Sequence, residues 1–129
     1  MTPHPGRIKL LNYIKKEFPW KHPFIYIYKE DNKALSHEFS WDQVEKAKRW
    51  AKSINPENYN ILLYLTTSQR TRQGIADALF LDMTTVKRRA DKCLDQIMHY
   101  LVAVYVNKED FDLELQPIDL RAKLEKDMD

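Results

Sequence analysis

The chain has 129 residues, 43% apolar and 31% charged, with a net charge of +2, a balance that suits one globular domain able to bury a core unaided. Its two glycines, Gly6 and Gly74, and its single cysteine, Cys93, exclude glycine-rich phosphate loops, an internal disulfide and a multi-cysteine metal centre. The charge is unevenly spread: residues 1–106 hold 17 Lys/Arg against 11 Asp/Glu, and residues 107–129 hold 4 against 8, so a basic body compatible with nucleic acid precedes an acidic tail.

A lone thiol fits a reducing compartment, no apolar run reaches 18 residues, and the opening stretch MTPHPGRIKLLNYIKKEF lacks the continuous apolar region of a signal peptide. A cytoplasmic protein without a membrane span is therefore expected. In chain order, Ile8, Leu11, Ile14 and Phe18 are at helical spacing and predict a short amphipathic helix ending at Pro19. PWKHP is a break. Residues 24–28, FIYIY, are β-branched or aromatic, and KEDNK is turn-like, so a hairpin is expected over residues 24–39. Ser40 and Gln43 then have the spacing of a capping box. Trp41, Val44, Ala47, Ala51 and Ile54 make one helical stripe, widened by Trp50.

Asn55 and Pro56 end that helix and open the next, as N-cap and first-turn proline. In this next helix Tyr59, Leu62, Leu63 and Thr66 share a side, before the polar loop TTSQR. Residues 72–79 read as a short helix with Ile75, Ala76 and Leu79 inward. Asp82 is placed to cap a longer helix striped by Val86, Ala90, Cys93, Leu94, Ile97 and Leu101. LVAVYV, residues 101–106, either extends this helix or forms a strand partnered by FIYIY. The fold class expected is mainly α, a helix-turn-helix bundle with a small β-hairpin in the N-terminal third. Its parts are residues 1–53 (first helix, hairpin, bracing helix), 54–106 (helix-turn-helix region) and 107–129 (acidic tail, with Phe111, Leu113, Leu115, Ile118, Leu120 and Leu124 as docking points).

Two helices joined by a three-residue turn, the second the longer, form the helix-turn-helix pattern. Such a unit points the N-terminal turns of its second helix at the DNA major groove. With Val86, Ala90 and Cys93 inward, the other side of that helix carries Thr84, Thr85, Lys87, Arg88, Arg89 and Lys92. Threonine methyls and hydroxyls touch base edges and arginine bonds guanine bidentately, so Thr84, Thr85 and Arg88 are assigned to base reading. Arg72, Lys87, Arg89 and Lys92 are assigned to phosphates, which position a protein without reading sequence.

The stretch GIADALFLDMTTVKRRADKCLDQI resembles the helix-turn-helix of bacterial sigma factor region 4. Ile75, Ala76 and Leu79 fall at first-helix positions, Leu81 at the turn hydrophobe, and Thr85, Val86, Lys87, Arg89, Lys92 and Ile97 at recognition-helix positions. Small phage late-transcription regulators of the ArpU and RinA type carry a similar module. The resemblance covers roughly residues 54–101. Phe80 stands where the pattern has a turn glycine, Gly74 where an acidic residue is usual, and Asp82 where serine is usual. The resemblance implies a phage or prophage DNA-binding transcription regulator reading the major groove with a helix at about 83–99. Its partners would be double-stranded DNA, with RNA polymerase and a homo-oligomeric second copy as further candidates. Full sigma activity is not expected, since these 129 residues leave no room for the promoter-melting domain that it needs. Two other readings stay open: a phage small terminase subunit recognising packaging DNA, and a protein-interaction module that binds RNA polymerase without touching DNA.

No enzyme, cofactor or metal is expected. His4, His22, His37 and His99 share no ligand spacing, and Glu17, Glu30, Glu38 and Glu45 show no acid/base pairing. Cys93 lies on an apolar stripe, as a structural thiol would. Trp20, Trp41 and Trp50 read as core residues rather than base-stacking platforms.

Overall fold

Residues 4–67 and 71–108 are described by the computed structural model, in which five helices and one hairpin follow the order expected. They are α1 (Arg7–Ile14), β1 (Phe24–Glu30), β2 (Lys33–Phe39), α2 (Trp41–Ile54), α3 (Pro56–Thr67), α4 (Arg72–Leu79) and α5 (Met83–Leu101). The architecture is mainly α with one two-stranded antiparallel sheet. The acidic residues 109–129, with their six expected docking points, lie outside the described residues, as do residues 68–70 of the expected polar loop. Thr66 and Thr67 belong to α3 rather than to that loop.

The hairpin closes through a two-residue turn. Asp31 and Asn32 sit at φ 51° and 63°, the left-handed pair that matches the twist of a hairpin and that Asp and Asn tolerate better than most residues. The register runs from Glu30 opposite Lys33 to Phe24 opposite Phe39. Phe24, Tyr26 and Phe39 face the core, while Ile25 and Ile27 point outward and are about half exposed. β1 therefore finds its partner across a short loop, and residues 101–106 are not a strand. They continue α5 as π-helix (Val102–Val106), with the Asn107 N–H donating to the Val102 carbonyl at 2.8 Å. Closing a two-residue loop costs far less chain entropy than bringing together strands some seventy residues apart.

The first helix departs from expectation. It stops at Ile14, and its buried face is Leu10, Tyr13 and Ile14; Ile8 is 70% exposed and Phe18 lies beyond the helix, half exposed. Tyr13 accounts for the early stop. Its hydroxyl is shared between the carbonyls of Pro19 and His22, at 2.8 and 2.7 Å, which folds the PWKHP segment back over the helix end. That contact needs Tyr13 turned inward, and the face containing Tyr13 wins over the one containing Ile8.

The remaining helix starts are fixed by side-chain caps. Ser40 and Gln43 form the reciprocal capping box, with the Gln43 N–H donating to Ser40 Oγ and the Ser40 N–H to Gln43 Oε1. Asn55 Oδ1 accepts from the Asn58 N–H. Thr71 Oγ1 accepts from the Gly74 N–H, a cap on α4 not anticipated from the sequence. In α3, Ile61 and Leu62 are buried, while Tyr59, Leu63 and Thr66 are only half-buried.

One apolar cluster runs from Leu10 through the hairpin root, α2 and α3 to Leu101, so residues 1–53 and 54–106 share a core. α5 is its axis and packs against α1, α2, α3 and α4. Residues 93–98 of α5 are enclosed all round, including the charged Asp95, which is 5% exposed, and only His99 of the last turns is exposed. Arg7 of α1 compensates that charge. Its Nε donates to Asp95 Oδ1 at 2.8 Å, its Nη2 donates to Asp95 Oδ2, and its Nη1 lies 3.4 Å from Asp91. A buried carboxylate is tolerated when paired and hydrogen-bonded in this way.

Candidate nucleic-acid interface

Between α4 and α5 the chain turns through three residues. The Phe80 N–H donates to the Asp77 carbonyl and the Leu81 N–H to the Ala76 carbonyl, at 3.4 and 2.8 Å. This pair of bonds is the Schellman closure of a helix, which requires a left-handed residue after the last helical one. Phe80 occupies that position at φ 57°, ψ 38°. The expected departure from glycine is thus accommodated by strain rather than by reshaping: Phe80 is 95% exposed, and its ring offsets none of the backbone cost through burial. Leu79, expected inward, is 40% exposed. The Schellman turn ends α4 at Leu79, leaving it at the lip of a groove with Ile61, Tyr64 and Leu81.

Asp82 caps α5 as expected. Its Oδ1 accepts from the Thr85 N–H at 2.7 Å. That bond, with help from the Thr85 hydroxyl and the nearby Arg88 charge, holds the Asp82 carboxyl below its usual pKa. The cap fixes where α5 begins, and so which side chains face out. Among residues 83–89 only Val86 is buried. Thr84, Lys87, Arg88 and Lys92 are exposed, whereas Thr85 and Arg89 are half-buried. Arg72 is exposed on the first turn of α4.

The seven residues singled out from the sequence fall into three groups. Thr84, Arg88 and Lys92, spaced by four, make an outward ridge. Thr85 is drawn into the cap, with its amide and hydroxyl both turned to Asp82. Lys87 and Arg89 leave opposite flanks of α5. Lys87 Nζ is 2.8 Å from Asp91 on the α1 side, and Arg89 Nη1 is 3.6 Å from Glu57 on the α3 side. Arg72 joins the Lys87 flank. Asp91 and Arg7 were missed by sequence reasoning. The Lys87–Asp91 spacing of four was a readable signal, but Arg7, far along the chain from both carboxylates, offered none.

Elsewhere, Cys93 is fully buried and burial pushes its thiol up to about 12, as suits a packed residue rather than a nucleophile. Trp50 is buried and Trp41 half-buried. Trp20 is 56% exposed, with one edge against Phe18 and Trp41, so the expectation of a core position fails for it. Among the described residues no helix is long and apolar enough to cross a membrane.

No family model, curated protein or solved structure matches the chain.

Proposed function

We propose that this protein is a DNA-binding transcription regulator, of phage or prophage type, that inserts the first turns of α5 into the major groove. The observation that carries the reading is the ridge of Thr84, Arg88 and Lys92, held clear of the core by the Phe80 turn and the Asp82 cap and flanked on both sides by further cations. Thr84, Thr85 and Arg88 are the base-reading residues in this proposal, and Arg72, Lys87, Arg89 and Lys92 meet phosphates. Thr85 contributes through its methyl, since its hydroxyl serves the cap. The role is binding rather than catalysis, in the cytoplasm, without a cofactor.

The experiment is an unbiased selection of duplex DNA by the purified protein, followed by binding at several salt concentrations. Affinity falls with a log–log slope of about −0.9 per neutralised phosphate. Binding that ignores salt, or none to any duplex, refutes the proposal.

The groove lined by Ile61, Tyr64, Leu79 and Leu81 favours a second reading. A partly exposed apolar surface beside the motif suits a protein partner, such as RNA polymerase, either alongside DNA or in place of it. A chain that pulls down polymerase but shows no salt-dependent duplex binding would establish that reading.

A further inference from the structure

α1 lies outside the α4–turn–α5 unit, yet it reaches the same surface. Arg7, Leu11 and Lys15 follow one another at a spacing of four, one helical stripe. Arg7 is pinned to Asp95 and Asp91. From there the stripe runs toward the N-terminus of α5, so that Leu11 and Lys15 flank Ala90 and Lys87. The result is a crevice on which three helices converge with a cation each: Lys15 from the C-cap of α1, Arg72 from α4 and Lys87 from α5, over an apolar floor that includes Leu11 and Leu94.

The local charge is unbalanced. Among the described residues Asp91 is the one carboxylate lining the crevice, and it already receives Lys87 at 2.8 Å and Arg7 at 3.4 Å. Among the described residues, neither Lys15 nor Arg72 has a carboxylate within ion-pair distance. An apolar floor under converging cations raises the local potential and favours an anion at the mouth. Lys87 immediately precedes Arg88 of the outward ridge. An anion held here therefore sits beside the groove that Arg88 would enter, where a duplex presents its backbone.

We propose that Lys15 joins Arg72 and Lys87 in a three-helix clamp on one backbone phosphate of duplex DNA, which makes α1 part of the DNA-binding surface. This rests on the DNA-binding reading above. Arg7 supports the clamp as a positioning residue: by occupying Asp91 it limits that carboxylate's competition for Lys87.

The test uses the full chain and a random-sequence duplex, so that base reading does not enter. Binding of wild type, Lys15→Gln, Lys15→Arg and Lys9→Gln is compared between 50 and 200 mM salt. Lys9 is exposed on α1 and faces away from the Lys15 stripe, so Lys9→Gln removes the same charge from the same helix elsewhere. One phosphate contact is worth a slope of about 0.9, or roughly a 3.5-fold change over that range. Lys15→Gln is expected to lose that increment, Lys15→Arg to keep it, and Lys9→Gln to match wild type. Equal slopes for Lys15→Gln and Lys9→Gln overturn the clamp while leaving DNA binding intact. A wild type that shows no salt-dependent binding overturns the underlying reading and the clamp with it. A parallel arm measures thermal stability in inorganic phosphate against chloride at equal ionic strength. A Lys15-dependent stabilisation by phosphate, with no change of slope on duplex, assigns the crevice to a free anion and overturns the duplex clamp.

Discussion

Residues 83–89 and 93–98 belong to one helix and live in opposite surroundings. In the first stretch only Val86 is buried; in the second all six residues are, Asp95 and Gln96 included. A helix end presented to solvent is usually frayed, because its first amides lack partners. Here the exposed end inherits rigidity from the enclosed one, and Asp82 supplies the missing acceptor. The difference teaches that the core-forming residues and the outward-facing ones are segregated along α5. Substitutions should sort by position on the helix, with little overlap between effects on stability and on duplex affinity.

The sharpest break in that comparison is made in the enclosed half. Ile97→Ala, at a fully buried position, is expected to cost about 2–5 kcal/mol in urea denaturation. The affinity of the folded fraction for duplex should be unchanged. A large loss of affinity at full folding would mean that the two halves are not segregated.

Alkali probes the same half from another direction. The folded Cys93 thiol is held up at about 12, above its unfolded value near 9.0, so its contribution is complete below pH 9 and is lost as the pH climbs toward 12. Between pH 9 and 10 the loss is about 1 kcal/mol, because the unfolded thiol is only half ionised at the start of that interval. Tyr13, Tyr26, Tyr100 and Tyr105 are raised by burial in the same sense, from a higher starting value of 10.0, and add to the fall at higher pH. The Cys93→Ala variant should start lower and fall by about 1 kcal/mol less between pH 9 and 10, the fall that is left being that of the tyrosines. An unchanged slope would show that another group titrates there.

At the exposed half the effects move to affinity. Arg88→Ala is expected to cost about 1–3 kcal/mol on the selected site and to relax its sequence preference, while stability stays within about 0.5 kcal/mol of wild type. Lys92→Ala should weaken all sequences alike. Equal behaviour of the two variants on specific and random duplex would undo the assignment of the ridge.

The turn between the helices gives the smallest effect. Phe80 has a left-handed backbone and an exposed ring, so Phe80→Gly is expected to raise stability by roughly 0.5–1 kcal/mol, the relieved strain exceeding the added chain entropy. A thermal scan decides it, and a lowered midpoint would show that the ring makes a contact worth keeping.

The features legible in the sequence were those set by neighbours a few residues apart. Ser40 with Gln43, Asn55 with Pro56, Asp82, the alternation of FIYIY and the long stripe of α5 all act within a turn or two. What escaped was set at long range. The face of α1 follows from where Tyr13 and Arg7 find partners, and Arg7 finds its own 88 residues away. Leu79 reads as inward by period alone, and it is the Schellman turn ending α4 there that leaves it at a lip beside α3. For the candidate site the same division holds. The outward ridge follows from helical period plus one cap, whereas the meeting of Lys15, Arg72 and Lys87 required three helices to be assembled.

Gly6 shows what this assembly means for the order of events during synthesis. A Cβ there would come within 2.7 Å of Met98 and 3.0 Å of the Tyr26 ring, so the start of α1, the hairpin and the enclosed half of α5 meet at a point with no room to spare. The ribosome releases these elements at widely separated times. α1 and the hairpin emerge early and wait, their apolar faces uncovered, until Met98 has cleared the exit tunnel. Arg7 waits likewise for Asp95. A nascent chain that stops short of Met98 therefore lacks the contacts that seat the start of α1 against the enclosed half of α5.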